Sequence, residues 1–136
     1  MKQKILIVSA NYYFNISRNL INDATLALHK EKIKYDVVDV PGVFEIPVVI
    51  AKNIKKYHGF IALGCVIKGE TPHFDFISKT SINAIMNLSV NYKKPIGNGI
   101  LTCINISQAN IRSDFKGKKR KGKEAAEAVI SVLKVK

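Results

Sequence analysis

Several features that define common functional classes are scarce in this sequence. No apolar run approaches the roughly 18 residues of a membrane-spanning helix, so an integral membrane protein is not expected. The two cysteines, Cys65 and Cys103, lie in separate apolar runs without C-x-x-C spacing, which argues against a metal or redox centre and favours buried, reduced thiols. No G-x-G-x-x-G fingerprint is present, and a dinucleotide cofactor is therefore not indicated.

Acidic residues are also scarce, with 10 Asp and Glu against 22 Lys and Arg and a net charge of +12. A protein this basic has to be considered as a nucleic-acid binder. Lys outnumbers Arg by 19 to 3, however, which indicates compositional drift more than selected phosphate contacts, for which Arg is better suited. We therefore expect no nucleic-acid partner. The run from Lys116 to Lys123 still allows a nucleic-acid tail, a phosphate-attracting rim or a solvated loop.

The length of 136 residues is that of one ordinary domain, and no linker or repeat divides the chain, so a single domain over residues 1–136 is expected. An apolar fraction of 47% is typical of a globular, soluble protein. The first apolar run is only about five residues long, too short for the core of a signal peptide. The expected location is therefore the cytoplasm, without membrane association.

Apolar runs alternate with segments of helical periodicity along the chain. Strands are predicted over 4–9, 35–40, 59–67 and 95–104, and helices over 16–28, 46–54, 74–88, 107–112 and 124–133. This alternation predicts a parallel sheet covered on both faces, because right-handed crossovers place each helix over a face. The expected fold class is α/β: a three-layer α/β/α sandwich with a four-stranded parallel sheet, doubly wound and flavodoxin-like. Ligands are then expected at the carboxyl ends of the strands.

The segment GCVIKGETPHFD places many polar groups directly behind the third predicted strand. Thr71 can cap a helix whose first position is Pro72, where proline loses no hydrogen bond. Gly69 allows a tight turn, so the amides near Glu70 and Thr71 can face an anion such as phosphate. His73 would fall in the first helical turn, where the positive end of the helix keeps it neutral and available as a base.

Each of these positions also has a purely structural explanation. His73 can be a surface histidine at an ordinary helix start. We likewise interpret His29 and His58, which lie among lysines at predicted helix ends, as surface histidines. Glu45 in PGVFEIP stands between apolar neighbours just before a proline, so it either binds a ligand or is a solvated helix-start carboxylate. The aromatic run in ANYYFN can stack on a flat heterocycle or pack in the core.

The motifs PGVFEIP and ALGCVIKGETPHFD, followed by GILT and Arg112, occur in an order and spacing that resembles the lumazine synthase family over nearly the whole chain. The resemblance implies a transferase of riboflavin biosynthesis. Its reaction condenses 5-amino-6-ribitylaminouracil with 3,4-dihydroxy-2-butanone 4-phosphate to 6,7-dimethyl-8-ribityllumazine, phosphate and water, without a metal or organic cofactor. The alternative is a module of the same fold that binds a flavin or lumazine without turnover.

The resemblance also implies roles for individual residues. His73 matches the proton-transfer histidine, Arg112 the arginine that clamps the phosphate, and Phe14 the aromatic that stacks on the pyrimidine. Asn98 stands where many relatives have a phenylalanine over the pyrimidine, so its backbone can contribute but stacking would be lost. The remaining positions matched to substrate binding are Val43, Phe44, Glu45, Cys65, Val66, Ile67, Glu70 and Thr71.

The sequence departs from the family pattern mainly in the turn SDFKGKKRKG, residues 113–122, which is one residue longer and leaves the matches of Lys116 and Lys121 open. Tyr13 also replaces a common arginine. Relatives form pentamers with active sites between subunits, and some stack pentamers into hollow shells. The longer turn favours a free pentamer in which Phe14 and the pocket it faces belong to different subunits. The expected partners are the two small substrates and further copies of the chain, and the resemblance allows association with riboflavin synthase.

Overall fold

The chain folds around a four-stranded parallel sheet with the strand order β2-β1-β3-β4. The structure, a computed structural model, describes residues 3–70, 73–114, 117 and 120–136. Its elements are β1 (Lys4–Ala10), α1 (Phe14–Lys30), β2 (Lys34–Val40), a 3-10 turn (Val43–Glu45), α2 (Ile46–Lys52), β3 (Gly59–Ile67), α3 (Phe74–Tyr92), β4 (Ile96–Cys103), α4 (Ile106–Ser113) and α5 (Lys121–Leu133). The predicted α/β fold is confirmed. No helix in the described ranges is both long and apolar enough to cross a bilayer.

Alternate residues of the central strands face two separate cores. In β1, Ile5 and Ile7 pack in the core shared with α1, α4 and α5, whereas Leu6 and Val8 pack in the core shared with α2 and α3. Every residue of β3 is buried, as expected for a central strand of a parallel sheet covered on both faces. The sheet therefore forms the middle of three layers.

Helix α5 begins at Lys121, earlier than the predicted start at Glu124. The sequence Lys-Gly-Lys has no apolar side chain to indicate burial, yet Gly122 is buried against α1. A Cβ at this position would overlap the carbonyl oxygen of Leu20, so only glycine lets the two helices approach this closely. Part of the segment predicted as a basic loop is thus the packed first turn of a helix.

Helix α3 exposes much of its apolar surface. Of its 19 residues, all within the described part of the chain, the buried ones are Ser81 and Ile85. Phe76 and Met86 are 64% and 60% exposed. Ile82 is only half-buried and lines an outer cavity. An apolar helix face of this kind is typical of a surface that contacts another protein chain.

Candidate active site

A cavity of about 400 Å³ opens at the carboxyl ends of β1 and β3. In the order β2-β1-β3-β4, the chain reverses its direction of winding between these two strands, and ligands of doubly wound sheets bind at such a switch point. Seven of the residues matched to substrate binding line the cavity: Val43, Phe44, Glu45, Cys65, Val66, Ile67 and Glu70. The fold thus brings two segments that are distant in sequence into one wall.

The 3-10 turn before α2 presents Glu45 to the cavity. Val43 is buried and packs closely over Gly64. A Cβ added to Gly64 would lie 2.8 Å from the Cγ2 atom of Val43. Pro47 lies in the first turn of α2, where its missing N–H costs no hydrogen bond. The half-buried Glu45 makes no side-chain cap, and its carboxylate has no polar partner among the described residues. The carboxylate is thus available either to a ligand or to solvent, the two alternatives given by the sequence.

The aromatic segment after β1 places Tyr12 and Tyr13 in the cavity wall. Their rings are 4.9 Å apart at an interplanar angle of 80°, an edge-to-face pair. Phe14 is instead the first residue of α1 and lies outside the wall, with its ring 5.9 Å from the guanidinium carbon of Arg18. Within one chain the tyrosines thus line the cavity, and Phe14, predicted to face a pocket of a different subunit, does not. Tyr12, at 73% exposure, has a ring face open to a ligand.

Two side chains in the wall are held in their neutral forms. Burial, aided by the nearby Glu70 and Cys65, raises the pKa of the Tyr13 hydroxyl to about 12. Burial also raises the pKa of the Cys65 thiol to about 12, with Cys103 next to it. Both cysteines are free and buried, as predicted. At neutral pH the wall therefore offers a phenol that can donate a hydrogen bond and a thiol that is a poor nucleophile.

A tight turn connects β3 to the rim of the cavity. Gly69 has a φ of +89°, and the amide of Glu70 donates to the carbonyl of Ile67 at 3.1 Å, as in a type II turn. This amide, predicted to face an anion, is therefore used by the turn itself. The side chain of Glu70 remains exposed at the cavity. Thr71 and Pro72, predicted to bind phosphate and to open the helix, lie outside the described residues.

His73 occupies the N-cap position of α3, because the helix begins at Phe74, the start predicted from the apolar periodicity. The helix opening predicted at Pro72 would instead have put His73 in the first turn. Its carbonyl accepts the amide of Ile77 at 2.8 Å, which starts the helical hydrogen-bond pattern. Glu70 and Ile77, on either side of it in the chain, both line the cavity. His73 itself is exposed and does not line the cavity, but its place in the chain between two residues that do puts it near the rim, at the positive end of a 19-residue helix.

The other two histidines have structural partners at the opposite end of the sheet. His58 Nδ1 accepts the amide of Lys4 at 3.0 Å, and His29 Nε2 lies 2.9 Å from the hydroxyl of Tyr35. Both therefore match the structural interpretation given to them from the sequence. Within the described ranges, no three His, Cys, Asp or Glu side chains are grouped so that they could hold a metal ion.

Asn98 and Arg112 lie away from this cavity, at the free edge of β4. The Oδ1 atom of Asn98 accepts the amide of Ile100 at 3.1 Å. Arg112 Nη1 donates to the carbonyl of Thr102 at 3.4 Å, the long end of the hydrogen-bond range. Both side chains thus contact backbone groups of the edge strand. In one chain they do not reach the wall formed by Glu45.

A second cavity, of about 360 Å³, contains Arg112. It is lined by Ile100, Leu101, Thr102, Arg112, Lys121 and Glu124. Its two cations face one carboxylate, and Lys121 Nζ lies 3.6 Å from Glu124 Oε1. The fold places Lys121 in the same cavity as Arg112. The sequence alone had left the match of Lys121 to the family motif open. We refer to this site below as the Arg112 cavity.

Comparison with known proteins identifies the family of the chain. The sequence profile of the 6,7-dimethyl-8-ribityllumazine synthase family matches residues 2–136. Proteins of that name from Bartonella bacilliformis and Bartonella tribocorum are each 44% identical, over 97% and 99% of this chain and 89% and 91% of their own lengths. The Agrobacterium fabrum protein of the same name is 42% identical over 99% of this chain and 95% of its own length. Together with the fold and the two cavities, this similarity shows that the chain belongs to the 6,7-dimethyl-8-ribityllumazine synthase family.

Proposed function

We propose that the protein condenses 5-amino-6-ribitylaminouracil with 3,4-dihydroxy-2-butanone 4-phosphate, at the cavity between β1 and β3. The observation that supports this most directly is the half-buried carboxylate of Glu45, which has no polar partner among the described residues, in the same wall as the open ring of Tyr12. One group suits a polyhydroxylated chain and the other a flat heterocycle. The pyrimidine substrate contains both.

The pyrimidine is held by stacking and by hydrogen bonds. Tyr12 stacks on the ring from within the same chain. Glu45 accepts hydrogen bonds from the ribityl hydroxyls, since a carboxylate acceptor strengthens such bonds. The end of β3, from Cys65 to Ile67, contributes backbone groups, and the neutral Cys65 thiol takes no part in the chemistry.

The chemistry is carbonyl condensation with proton transfer. The 5-amino group attacks the ketone, and water leaves as the imine forms. A proton is then removed next to the imine as the phosphate leaves, and the resulting enol tautomerises to a second carbonyl. The ribityl-bearing nitrogen attacks this carbonyl, and a second water leaves as the ring closes. His73, at the rim of the cavity and at the start of α3, is the group that moves these protons. Holding two substrates in register contributes much of the acceleration.

The phosphate is bound in the Arg112 cavity. The contact of Arg112 with the Thr102 carbonyl, at 3.4 Å, is weak and can be exchanged for a charge-assisted contact with phosphate. Lys121 supplies a second positive charge in this cavity. Because the cavity is separate from the one that holds the pyrimidine, a complete site requires the Arg112 cavity of one copy to face the Glu45 wall of another.

The assembly that we propose is therefore a homo-oligomer, with the pentamer favoured. The exposed apolar residues of α3, and Ile104, Ile106 and Ile111 near the Arg112 cavity, supply surface that an adjacent copy would cover. A separated monomer should be inactive, because it holds only half of each site. Native mass measurement of the purified protein tests the assembly directly, and a fully active monomer would contradict the shared site.

The activity is tested by mixing the protein with both substrates and following the fluorescence of the lumazine product. We expect a rate well above that of buffer. His73→Ala should lower kcat without unfolding the protein, and Arg112→Ala should chiefly raise KM for the phosphate substrate. His58→Ala, at the opposite end of the sheet, is the matched control. Tight lumazine binding without turnover would instead indicate a binding module, and a rate equal to buffer would exclude the enzyme.

A further inference from the structure

A charged residue is fully buried between α1 and the start of α5. Asp23, on α1, has no exposed surface, and its Oδ1 atom accepts two hydrogen bonds from Arg120, at 3.0 Å from Nη2 and 3.3 Å from Nε. Its Oδ2 atom has no partner in the described part of the chain. Such a pair contributes little net stability, because the carboxylate loses all of its hydration and the guanidinium most of it, and no described residue pairs with Oδ2. Stability alone is therefore a poor reason for its presence.

The ion pair is one of two attachments that hold the first turn of α5. Arg120 precedes the helix as its N-cap residue and makes no side-chain cap of its own. Gly122, two positions later, packs on the backbone of Leu20. Leu20 and Asp23 are three residues apart on α1 and therefore lie on the same face of that helix. Both neighbours of Lys121 in the chain are thus fixed to α1.

Lys121 is the residue between the two attachments, and it lines the Arg112 cavity. Because the backbone of Lys121 is anchored on both sides, its ammonium group is confined to the region near Arg112 and Glu124. The distance from Lys121 Nζ to Glu124 Oε1 is 3.6 Å. Without the ion pair, a helix start with glycine and no side-chain cap would fray readily. The ammonium group would then be free to move away from Arg112.

We propose that the Asp23–Arg120 ion pair is a positioning device that holds Lys121 beside Arg112 and so sets the affinity of the Arg112 cavity for a phosphate monoester. This inference rests on the function proposed above. Arg120 and Asp23 are positioning residues that act through Lys121. The two cations together match a dianion better than either does alone, provided that their separation is fixed before binding.

The test uses two substitutions that change the net charge in opposite directions. Asp23→Asn removes a negative charge and Arg120→Gln removes a positive one. Loss of positioning predicts that both raise KM for the phosphate substrate, by about fivefold or more, while KM for the pyrimidine changes by less than about twofold. A long-range effect of net charge would instead lower KM for the phosphate substrate in Asp23→Asn and raise it in Arg120→Gln. The double variant should bind the phosphate substrate no more weakly than the weaker-binding single variant, because the two substitutions remove the same interaction.

Arg120→Lys keeps the charge and should restore part of the affinity. Lys134→Met removes a different and exposed ion pair of the same helix region, with Glu31, and should leave both KM values unchanged. If Asp23→Asn fails to fold, Arg120→Gln decides, because the Arg120 side chain is 26% exposed and truncation there leaves less unfilled space.

A second readout does not depend on turnover. Calorimetric titration with inorganic phosphate should show weaker binding to Arg120→Gln than to the unmodified protein. A purely structural pair would lower the unfolding temperature in both variants and leave phosphate affinity and KM unchanged, and that result would overturn the inference. Absence of turnover in the unmodified protein would contradict the proposed function, and the phosphate titration would still decide the role of the pair.

Discussion

The pair Tyr12→Leu and Phe14→Leu distinguishes the two aromatic residues that could support the pyrimidine. Tyr12 lines the cavity between β1 and β3, whereas Phe14 begins α1 outside it. Each substitution removes one ring and keeps an apolar side chain of moderate size. Because the two positions are separated by a single residue and are 73% and 61% exposed, each variant is a close control for the other.

The expected effects differ because, within one chain, Tyr12 lines the cavity and Phe14 does not. Stacking of a base on an aromatic side chain contributes about 1–3 kcal/mol, which corresponds to roughly 5- to 150-fold in affinity. We expect Tyr12→Leu to weaken binding of the pyrimidine by a factor in this range. Phe14→Leu loses only the exposed contact with Arg18, about 0.5–1 kcal/mol of stability, and should leave ligand affinity within about twofold.

The assay is a fluorescence titration of each variant with the lumazine product, supported by KM for the pyrimidine substrate. Thermal unfolding of both variants should remain close to that of the unmodified protein, since neither ring is buried in the core. A large loss of affinity in Phe14→Leu together with unchanged affinity in Tyr12→Leu would refute the reasoning. It would show that the ring at position 14 is the one that contacts the ligand.

Three further predictions concern stability and reactivity. Gly122→Ala should destabilise the protein by about 1–2 kcal/mol in urea unfolding, because overlap with the Leu20 backbone outweighs the better helix propensity of alanine. Equal stability of the variant would contradict the close approach of α1 and α5. Iodoacetamide at pH 8 should modify Cys65 far more slowly in the folded protein than in urea, because burial raises the pKa of the thiol to about 12. Equally rapid modification would show that the Cys65 thiol is exposed in the folded protein. The hydrogen bond from the Tyr57 hydroxyl, with Lys4 as a further contact, lowers the pKa of Asp36 from 3.8 in the folded protein. The resulting stabilisation is present above pH 3.8 and is lost as the pH falls through the lower pKa of the folded state. Tyr57→Phe should therefore lower the unfolding temperature more at pH 7 than at pH 2, and the reverse order would contradict this prediction.

The fold was predictable because its signals are local and redundant. The run from Gly59 to Ile67 is apolar throughout, and only a strand covered on both faces requires that. The PGVFEIP motif likewise contains its own turn, helix start and carboxylate, so the sequence indicated the position of Glu45 at the cavity. Features determined within about ten residues of chain were thus accessible from sequence.

The parts that the sequence could not supply depend on geometry between distant segments. Three aromatics in a row have no periodicity that tells which ring faces the cavity; only the end of β1 and the start of α1 decide in favour of Tyr12 and Tyr13. Asp23 and Arg120 are separated by 97 positions, and each alone resembles a surface charge. The early start of α5 depends on a glycine–backbone contact that no hydrophobic pattern records.

The side-chain contacts along β4 affect how other chains can approach this strand. An edge strand normally offers a row of open amides and carbonyls onto which an extended peptide can add. Here Asn98 already accepts from the amide of Ile100, and Arg112 donates to the carbonyl of Thr102. An incoming peptide would have to displace both contacts before it could form a continuous ladder. The same two side chains therefore protect this margin of the sheet against fibril-like growth.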